Sequence, residues 1–366
     1  MEQDRESSES NRSSEQPATE PGGQNRRNFF KVAAVAASVG AVAGALHGKY
    51  GSAPLIAEAQ AQGTGAAAAK WWPSRWGAAD EAGASNLITP EKVLDAVRWI
   101  KEGRIFRIGR VYEAGMPMFG ARIFALRIPG APTGGPFGEN KLVYNDEFLS
   151  TEIGQAGTQF DGLGHIGLQL GKDGDKTQMH FYNGFTSQEI NGAYGLNKLG
   201  MEKVKPFFTR GHLVDVAVLK TWDAGQEVKL ADVRAALDKQ GLKEADIKPG
   251  DAVFFNTGWG ALWMKNNDRY NSGEPGIGLE VARWVVDKQL ALVGADTWAT
   301  EVVPNPDKRL AFPVHGELIT RNGIFNHENL VFDELIKARK YQFVYIFSPM
   351  PLKGATGSAG GPIAVV

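Results

Sequence analysis

Apolar runs in the second half of the chain alternate with segments whose apolar residues recur at helical spacing. Leu230–Gln240 and Leu279–Lys288 have the helical pattern, and Gly241 is placed to cap the first helix. An earlier helix is predicted from its N-cap, Thr89, to a closing glycine, Gly103. Buried strands are predicted at Gly211–Leu219, Asp251–Asn256, Leu290–Gly294 and Tyr341–Phe347. The alternation predicts a single α/β domain without internal repeats.

The N-terminal segment has the features of an export signal. Residues 1–25 are polar, and Asn25–Lys31 then carries a twin arginine, two phenylalanines and a lysine. The apolar stretch Val32–Leu46 is shorter than the ~20 residues that span a bilayer. These features favour a cleaved twin-arginine signal over a membrane anchor. We expect the twin-arginine machinery to export the protein to the periplasm, with cleavage at the small-x-small site Ala59–Ala61.

Three segments follow from this interpretation. Residues 1–61 are the predicted signal with its polar extension, and residues 62–103 are a linker with an N-terminal helix. Residues 104–366 are the predicted catalytic domain, whose first part is rich in glycine, proline and short strands. We expect the mature protein to have no stable membrane span and to form a homo-oligomer.

Composition and charge exclude several classes of partner and catalytic site. The 40 lysines and arginines nearly balance the 41 aspartates and glutamates, so nothing indicates a nucleic-acid partner. The chain has no cysteine, which excludes disulfides, thiolate metal sites and cysteine nucleophiles. A metal ion would therefore have to bind to histidine, carboxylate or amide oxygen. The chain also has no Gly-x-Ser-x-Gly elbow, which argues against a serine hydrolase.

Several histidines lie near carboxylates in glycine-rich segments. Asp161 and His165 share the stretch Gln155–His165, while His315 and His327 lie far downstream near further carboxylates. From spacing alone, a hydrolytic metal site and polar residues capping loops remain alternatives. His212 precedes an apolar strand and is interpreted as structural, and the role of His180 stays open.

The stretch QAGTQFDGLGH aligns without a gap to a motif of the form His-x-Gly-Thr-His-x-Asp-x-x-x-His. In this respect the chain resembles the cyclase, or kynurenine formamidase-like, metal-dependent hydrolases, which include isatin hydrolase. The resemblance extends through further segments in the same order: Lys248–Trp259, Pro275–Trp284, Val293–Thr297, the segment around His315, Asn326–Leu330 and Pro351–Gly357. It covers most of residues 104–366 and implies a swivelling β/β/α fold, which agrees with the α/β prediction.

The resemblance also implies roles for individual residues. Asp161, His315 and Glu328 match metal ligands of the family, and His165 matches its acid–base histidine. His327 falls where relatives have an apolar residue and is therefore expected to be structural. Ser358–Pro362 departs from the family pattern, so no role is carried to it.

Two glutamines replace motif histidines and change the expected metal site. Without imidazoles at Gln155 and Gln159 we expect one divalent ion, with Gln159 as a neutral oxygen ligand. Such an oxygen-rich set favours Mn²⁺, with Zn²⁺ second. We expect Gln155 to orient a ligand or line the substrate pocket, and Thr158 to hydrogen-bond a ligand.

The function predicted from these residues is hydrolysis of a small cyclic or N-acyl amide by a metal-activated water, with His165 moving the proton. Phe160, Trp259 and Trp298 are candidate pocket walls for an aromatic or cyclic substrate, or else core residues. The alternatives are a lactone hydrolase that uses the same site and a periplasmic protein that binds a small molecule without turnover.

Overall fold

The apolar runs of the sequence meet in one nine-stranded mixed sheet. The computed structural model describes residues 70–366, so the predicted signal and the adjoining small-residue linker, residues 63–69, lie outside the described residues. Numbered along the chain, the strands are β1 (Ile105–Arg107), β2 (Phe124–Arg127), β3 (Gly134–Phe137), β4 (Leu142–Tyr144), β5 (Phe148–Thr151), β6 (Gln159–Asp161), β7 (Leu168–Gln169), β8 (Met179–His180), β9 (Asn191–Gly192), β10 (Gly195–Leu196), β11 (Phe207–Asp215), β12 (Glu227–Val228), β13 (Ala252–Asn256), β14 (Gly276–Ile277), β15 (Leu292–Ala295), β16 (Phe325–Glu328), β17 (Gln342–Phe347), β18 (Gly357–Ala359) and β19 (Ile363–Val365).

The large sheet has the strand order β1-β19-β17-β11-β13-β15-β16-β6-β18. Its middle strands β11, β13, β15 and β16 are parallel neighbours, and antiparallel strands extend it on both sides. Parallel strands covered on both faces read as nearly continuous apolar runs, which is why β13 and β15 were predictable. The predicted α/β fold is confirmed.

Helices cover the sheet and connect its strands. They are α1 (Pro90–Val97), α2 (Ser187–Ile190), α3 (Leu230–Gln240), α4 (Asn267–Asn271), α5 (Leu279–Asp287), α6 (Pro313–His315) and α7 (Asp333–Lys337), and a π-helical turn, Gly316–Arg321, continues α6. Short 3-10 turns occur at Gly83–Leu87, Tyr182–Gly184, Met201–Lys203, Val216–Val218, Glu244–Asp246 and Trp259–Leu262. Residues 70–366 contain no helix with the length and apolarity needed to cross a membrane.

Helix α3 has the predicted bounds, but α1 is shorter than predicted. Thr89 caps α1 by accepting the N–H of Lys92 at 3.2 Å, as expected for an N-cap threonine. The helix ends at Val97 instead of continuing towards Gly103. The N–H groups of Trp99 and Ile100 donate to carbonyls three residues earlier, at 2.9 Å and 3.1 Å, so a tight turn replaces the helical hydrogen bonds.

Strand β11 is displaced from the range predicted at Gly211–Leu219. It begins at Phe207 because residues 207–212 pair antiparallel with β17, and it ends at Asp215. The apolar residues Val216–Val218 form a 3-10 turn. Apolar composition located this strand, whereas its ends depend on a partner that is distant in sequence.

A buried ion cluster fastens α1 to the sheet. Asp251 accepts from Arg210 Nη2 at 2.9 Å, lies 2.9 Å from His212 Nε2, and also contacts Lys92. Burial raises the pKa of Asp251, but the hydrogen bonds from His212 and Arg210 outweigh that effect and bring it to about 2. His212 thus stabilises the fold by pairing with a buried carboxylate, in line with its interpretation as structural.

A hairpin arm, residues 122–152, projects between β1 and β6. Its strands pair antiparallel as β2 with β5 and β3 with β4. Exposed apolar side chains are frequent along it: Ile123, Leu126, Ile128, Phe137, Leu142, Val143, Tyr144, Phe148 and Leu149. At its base the carboxylate of Glu152 accepts the N–H of Ile123 at 2.8 Å. This contact holds both ends of the arm together beside β6.

Candidate metal centre

Strand register brings four polar side chains to one face of the sheet. Strand β6 pairs antiparallel with β16, so that Asp161 is opposite Asn326 and Gln159 is opposite Glu328. Because side chains alternate along a strand, these four residues share one face, and the residue between Gln159 and Asp161 points the other way. All four are buried. The pairing therefore joins parts of the chain that are far apart in sequence.

The glycines of the motif let the backbone make this approach. Gly157 has a φ of +64°, and a Cβ there would lie 2.6 Å from the ring of Tyr112. At Gly162 a Cβ would lie 2.6 Å from both the sulfur of Met201 and the carbonyl of Thr356. Larger residues at these two positions would push β6 and the following turn away from their neighbours.

Helix α6 and a buried carboxylate place His315 beside this face. Glu301 accepts the backbone N–H groups of Val314 at 3.2 Å and His315 at 3.0 Å. Its Oε1 is also 2.5 Å from Nδ1 of His315. The carboxylate therefore fixes the ring so that Nε2 points towards the strands. A π-helical turn follows at once, a feature often found at functional sites.

Three potential ligand atoms converge at this point. Nε2 of His315 is 3.5 Å from Oδ2 of Asp161 and 3.3 Å from Oε1 of Glu328. One ligand atom from each residue can be chosen so that all lie within 4.8 Å of one another. Two carboxylates and one imidazole, all buried, form a donor set that can hold a divalent cation.

The side-chain amides of Asn326 and Gln159 contact the two carboxylates and bear on whether a cation fits between them. Asn326 Nδ2 donates to Glu328 Oε1 at 2.6 Å and to Asp161 Oδ2 at 3.3 Å, and Gln159 Nε2 donates to Glu328. The other amide atom of Asn326, Oδ1, is buried without a hydrogen-bond partner. A buried oxygen without a partner, on a side chain that contacts both carboxylates, is a group that a cation would satisfy. The residues present therefore fit a divalent metal ion.

His165 lies beside this group but makes no short contact with it. Its Nε2 is 3.7 Å from Oδ1 of Asp161, on the turn in which the N–H of His165 donates to Gly162 O at 3.1 Å. The side chain keeps 22% of its surface exposed, whereas that of Asp161 keeps 1%. His165 is thus the group at this face that is open both to solvent and to the carboxylates.

Burial and mutual charge shift the pKa values of the two carboxylates in opposite directions. Burial raises the pKa of Asp161, but His165, His315 and the Gln155 hydrogen bond outweigh it and lower the value to about 2. Burial raises the pKa of Glu328 to about 7, and the charge of Asp161 adds to this rise. Of the two carboxylates, Asp161 therefore holds its charge more strongly than Glu328.

The two histidines are shifted in opposite directions as well. Burial lowers the pKa of His315, but hydrogen bonds to Asp161, Glu301 and Glu328 raise it well above its ordinary value. Burial lowers the pKa of His165, and the nearby charge of Asp161 opposes this only in part. At neutral pH His165 is therefore an uncharged imidazole that can accept a proton.

Gln155 links the buried carboxylate to the base of the arm. Its Nε2 donates to Asp161 Oδ1 at 2.8 Å, and its Oε1 accepts from Arg122 Nη2 at 3.1 Å. That Gln155 orients a ligand stays a prediction, which its hydrogen bond to Asp161 supports. Thr158 instead donates to the carbonyl of Asn329 at 2.9 Å and accepts the N–H of Arg110 at 2.8 Å. Thr158 thus ties the backbone around the site, a correction to its predicted bond with a ligand side chain.

An aromatic cluster forms the other wall of the site. Phe119 stacks on Trp298 with ring centroids 4.4 Å apart, and Phe312 lies 6.3 Å from Trp298. Phe312 in turn meets the ring of His315 edge-on at 5.7 Å. Trp298 was a candidate wall from sequence, and it reaches the site through these two phenylalanines. The wall suits a flat apolar group next to the polar face.

Two of the predicted pocket walls, Phe160 and Trp259, are buried. Phe160 is fully buried on the opposite face of β6, where its ring packs 5.2 Å from Phe325, because strand alternation turns it away from the polar face. Trp259 is buried too, and its Nε1 donates to the carbonyl of Tyr270 at 3.3 Å. Phe160 is therefore a core residue and its pocket-wall prediction is wrong. The pocket-wall prediction for Trp259 stays a prediction, because Trp298 is buried alike and donates to the same carbonyl.

His327 and His180 also lie away from the polar face. His327 packs beside Phe160 with its Nδ1 2.6 Å from the hydroxyl of Tyr345, and burial lowers its pKa to about 3. It is therefore a neutral core residue. His180 stacks on Trp72 at 4.7 Å and contacts the carbonyl of Gly184.

Sequence reasoning missed several residues of the site. Glu301 and Arg122 lie in segments with no motif or periodicity, so only the fold brings them to His315 and Gln155. Asn326 had a usable signal, because it precedes Glu328 by two positions and alternation places both on one face. Phe119 and Phe312 had no signal that separates a pocket wall from a core residue.

Comparisons with known proteins agree with this arrangement. The family model Cyclase, described as "Putative cyclase", matches residues 106–302, which is more than half of the 366 residues. A crystal structure described as that of a novel cyclase is 32% identical with a TM-score of 0.68, and the match covers 80% of this chain and 98% of that one. Among curated proteins, no sequence matches the chain.

More distant structures share the fold. Isatin hydrolase A from Labrenzia aggregata, bound to benzyl benzoate, is 18% identical with a TM-score of 0.53, and the match covers 71% of this chain and 93% of that one. Isatin hydrolase A from Ralstonia solanacearum is 16% identical with a TM-score of 0.51, covering 72% of this chain and 92% of that one. At these identities the likeness concerns the fold alone.

Proposed function

The chain belongs to the cyclase family, and from this premise we propose that it is a metal-dependent hydrolase of a small cyclic or N-acyl amide. One observation carries the proposal: Asp161, His315 and Glu328 converge in a buried cluster beside an accessible histidine, His165. Buried carboxylates without a counter-cation are costly, so a cluster of this kind suits a bound ion.

Four residues would hold the ion. Asp161 and Glu328 would supply anionic oxygens and His315 would supply Nε2. Gln159, whose Nε2 donates to Glu328 in this structure, would supply its neutral amide oxygen after its amide turns over. The hydrogen bonds of Gln155 to Asp161 and Arg122 engage both ends of its amide, which supports one ion instead of two. Three oxygens and one nitrogen favour Mn²⁺, with Zn²⁺ second. A divalent cation supplies Lewis-acid polarisation of the carbonyl and makes a water molecule more acidic.

The protein's own groups supply proton transfer and positioning. His165 accepts the proton of the attacking water through its free ring nitrogen and returns it to the leaving nitrogen or oxygen. Gln155 holds Asp161 in place, and Glu301 holds the ring of His315. The Phe119–Trp298 stack supports a flat ring against the polar face, which favours aromatic or cyclic substrates.

Removal and restoration of metal test this function. Elemental analysis of the purified protein should find about one divalent ion per chain, and a chelator should abolish hydrolysis of an amide panel. Added Mn²⁺ should restore it. The same panel should contain lactones, because the leaving atom distinguishes an amidase from a lactonase. Turnover that survives complete metal removal would contradict the proposal, and metal binding with no turnover of either class would indicate a binding protein.

We also propose that the twin arginines direct export. Replacing Arg26 and Arg27 with lysine should leave an unprocessed precursor in the cytoplasm, because lysine lacks the guanidinium that the predicted signal presents. Cell fractionation followed by mass measurement of the product detects both location and cleavage. The parent chain, expressed in parallel, is the control. A mature periplasmic product from the double variant would mean that another route carries the protein.

A further inference from the structure

Arg122 is a cation that lies beside the proposed site, next to Gln155. Its Nη2 donates to the neutral oxygen of Gln155 at 3.1 Å, and its guanidinium carbon is 5.7 Å from the ring centroid of Phe119. Within residues 70–366, no carboxylate pairs with it. The side chain is half-buried, so its charge is only partly solvated. A guanidinium in this state has donors left for an anion.

Two chains of contacts connect Arg122 to the polar face that carries Asp161. One route is polar: Arg122 binds Gln155, which binds Asp161. The other is apolar: Phe119, beside Arg122, stacks on Trp298 and lies 6.5 Å from Phe312. A ring resting on Phe119 would therefore have Arg122 at one end and the polar face at the other.

We propose that Arg122 binds the carboxylate of an aromatic or cyclic substrate, so that this enzyme selects ring compounds bearing an anionic substituent. The inference rests on the proposed function and specifies its substrate class. A planar guanidinium pairs with a carboxylate through two parallel hydrogen bonds, and such charge-assisted bonds are about twice as strong as neutral ones.

Arg127 provides a matched control on the same arm. It is exposed, its Nη1 donates only to the carbonyl of the neighbouring residue, Leu126, and it has no contact with the site. Arg122→Met and Arg127→Met remove the same charge while keeping an apolar side chain. Arg122→Lys keeps the charge but loses the paired hydrogen bonds.

Binding of benzoate and benzyl alcohol to the metal-loaded protein tests the proposal, because the two probes share a ring and differ in charge. Wild type and Arg127→Met should prefer benzoate. In Arg122→Met the benzoate affinity should fall about 10- to 100-fold, with benzyl alcohol unchanged, and Arg122→Lys should fall in between. Calorimetry measures these constants, and thermal melting shows that each variant is folded.

Two outcomes would overturn the inference. Unchanged benzoate affinity in Arg122→Met would mean that the carboxylate binds elsewhere, the metal ion included. Equal binding of both probes by wild type would mean that the site does not select anions. Failure of the hydrolase proposal would show itself separately, as a wild-type protein without bound metal or turnover.

Discussion

Replacing Asp161 or Glu328 with alanine should strip the protein of its metal and abolish turnover. Both side chains are buried at the point where the potential ligand atoms converge, and each supplies one of two anionic oxygens. Removing either leaves one carboxylate, one imidazole and the neutral amide of Gln159, with too little negative charge for tight binding of a divalent ion. Gln159→Ala removes a neutral donor, so metal affinity should fall less, by about 10- to 100-fold.

Metal content by elemental analysis and turnover of the best amide substrate measure these effects. Asp307→Ala is the matched control, because this carboxylate is paired with Arg309 on the surface and lies outside the site. Melting curves should be recorded for every variant, because removing one partner of a buried ion pair such as Asp161 and His315 destabilises the fold, and only variants that stay folded report on metal binding. Undiminished metal in both the Asp161 and Glu328 variants would refute the ligand assignment.

Much of the fold was predictable because long apolar segments have a residue spacing and composition that identify a helix or a buried strand without knowledge of the partner. Helix α3 has the predicted bounds, with Gly241 in a left-handed conformation after it at a φ of 70°. Strands β13 and β15 are buried throughout, so their composition alone identifies them. The start of β11 was not predictable, because it is set by hydrogen bonds to a partner distant in sequence.

The site was predictable only in part, for a related reason. A motif groups residues that are close in sequence, as with Asp161 and His165, whereas the arrangement of β6 beside β16 depends on long-range pairing. Phe160 was wrongly predicted to line the pocket because it lies in the motif. In the three-residue strand β6, alternation points its side chain away from those of its two polar neighbours. Glu301 and Arg122 act through contacts that no sequence pattern encodes.

Replacing His165 with alanine should leave the metal in place while slowing the reaction. Its Nε2 is 3.7 Å from Asp161, and Asp161 keeps hydrogen bonds from Gln155 and Asn326 that hold it without His165. The rate should fall by about 10²–10⁴, the usual contribution of a positioned acid–base group. The acid limb of the pH–rate profile should also disappear, because the neutral imidazole that is lost on acidification is no longer required.

His315→Ala should behave differently and distinguishes a ligand from a proton carrier. This residue is buried, and Glu301 directs its Nε2 at Asp161 and Glu328, so its loss should remove metal and activity together. The two variants are a matched pair, since each deletes one imidazole at the same face. Metal content and pH–rate curves should be measured for both. If His165→Ala loses the metal while His315→Ala retains it, the two roles are exchanged, because bound metal follows the ligand and not the group that moves the proton.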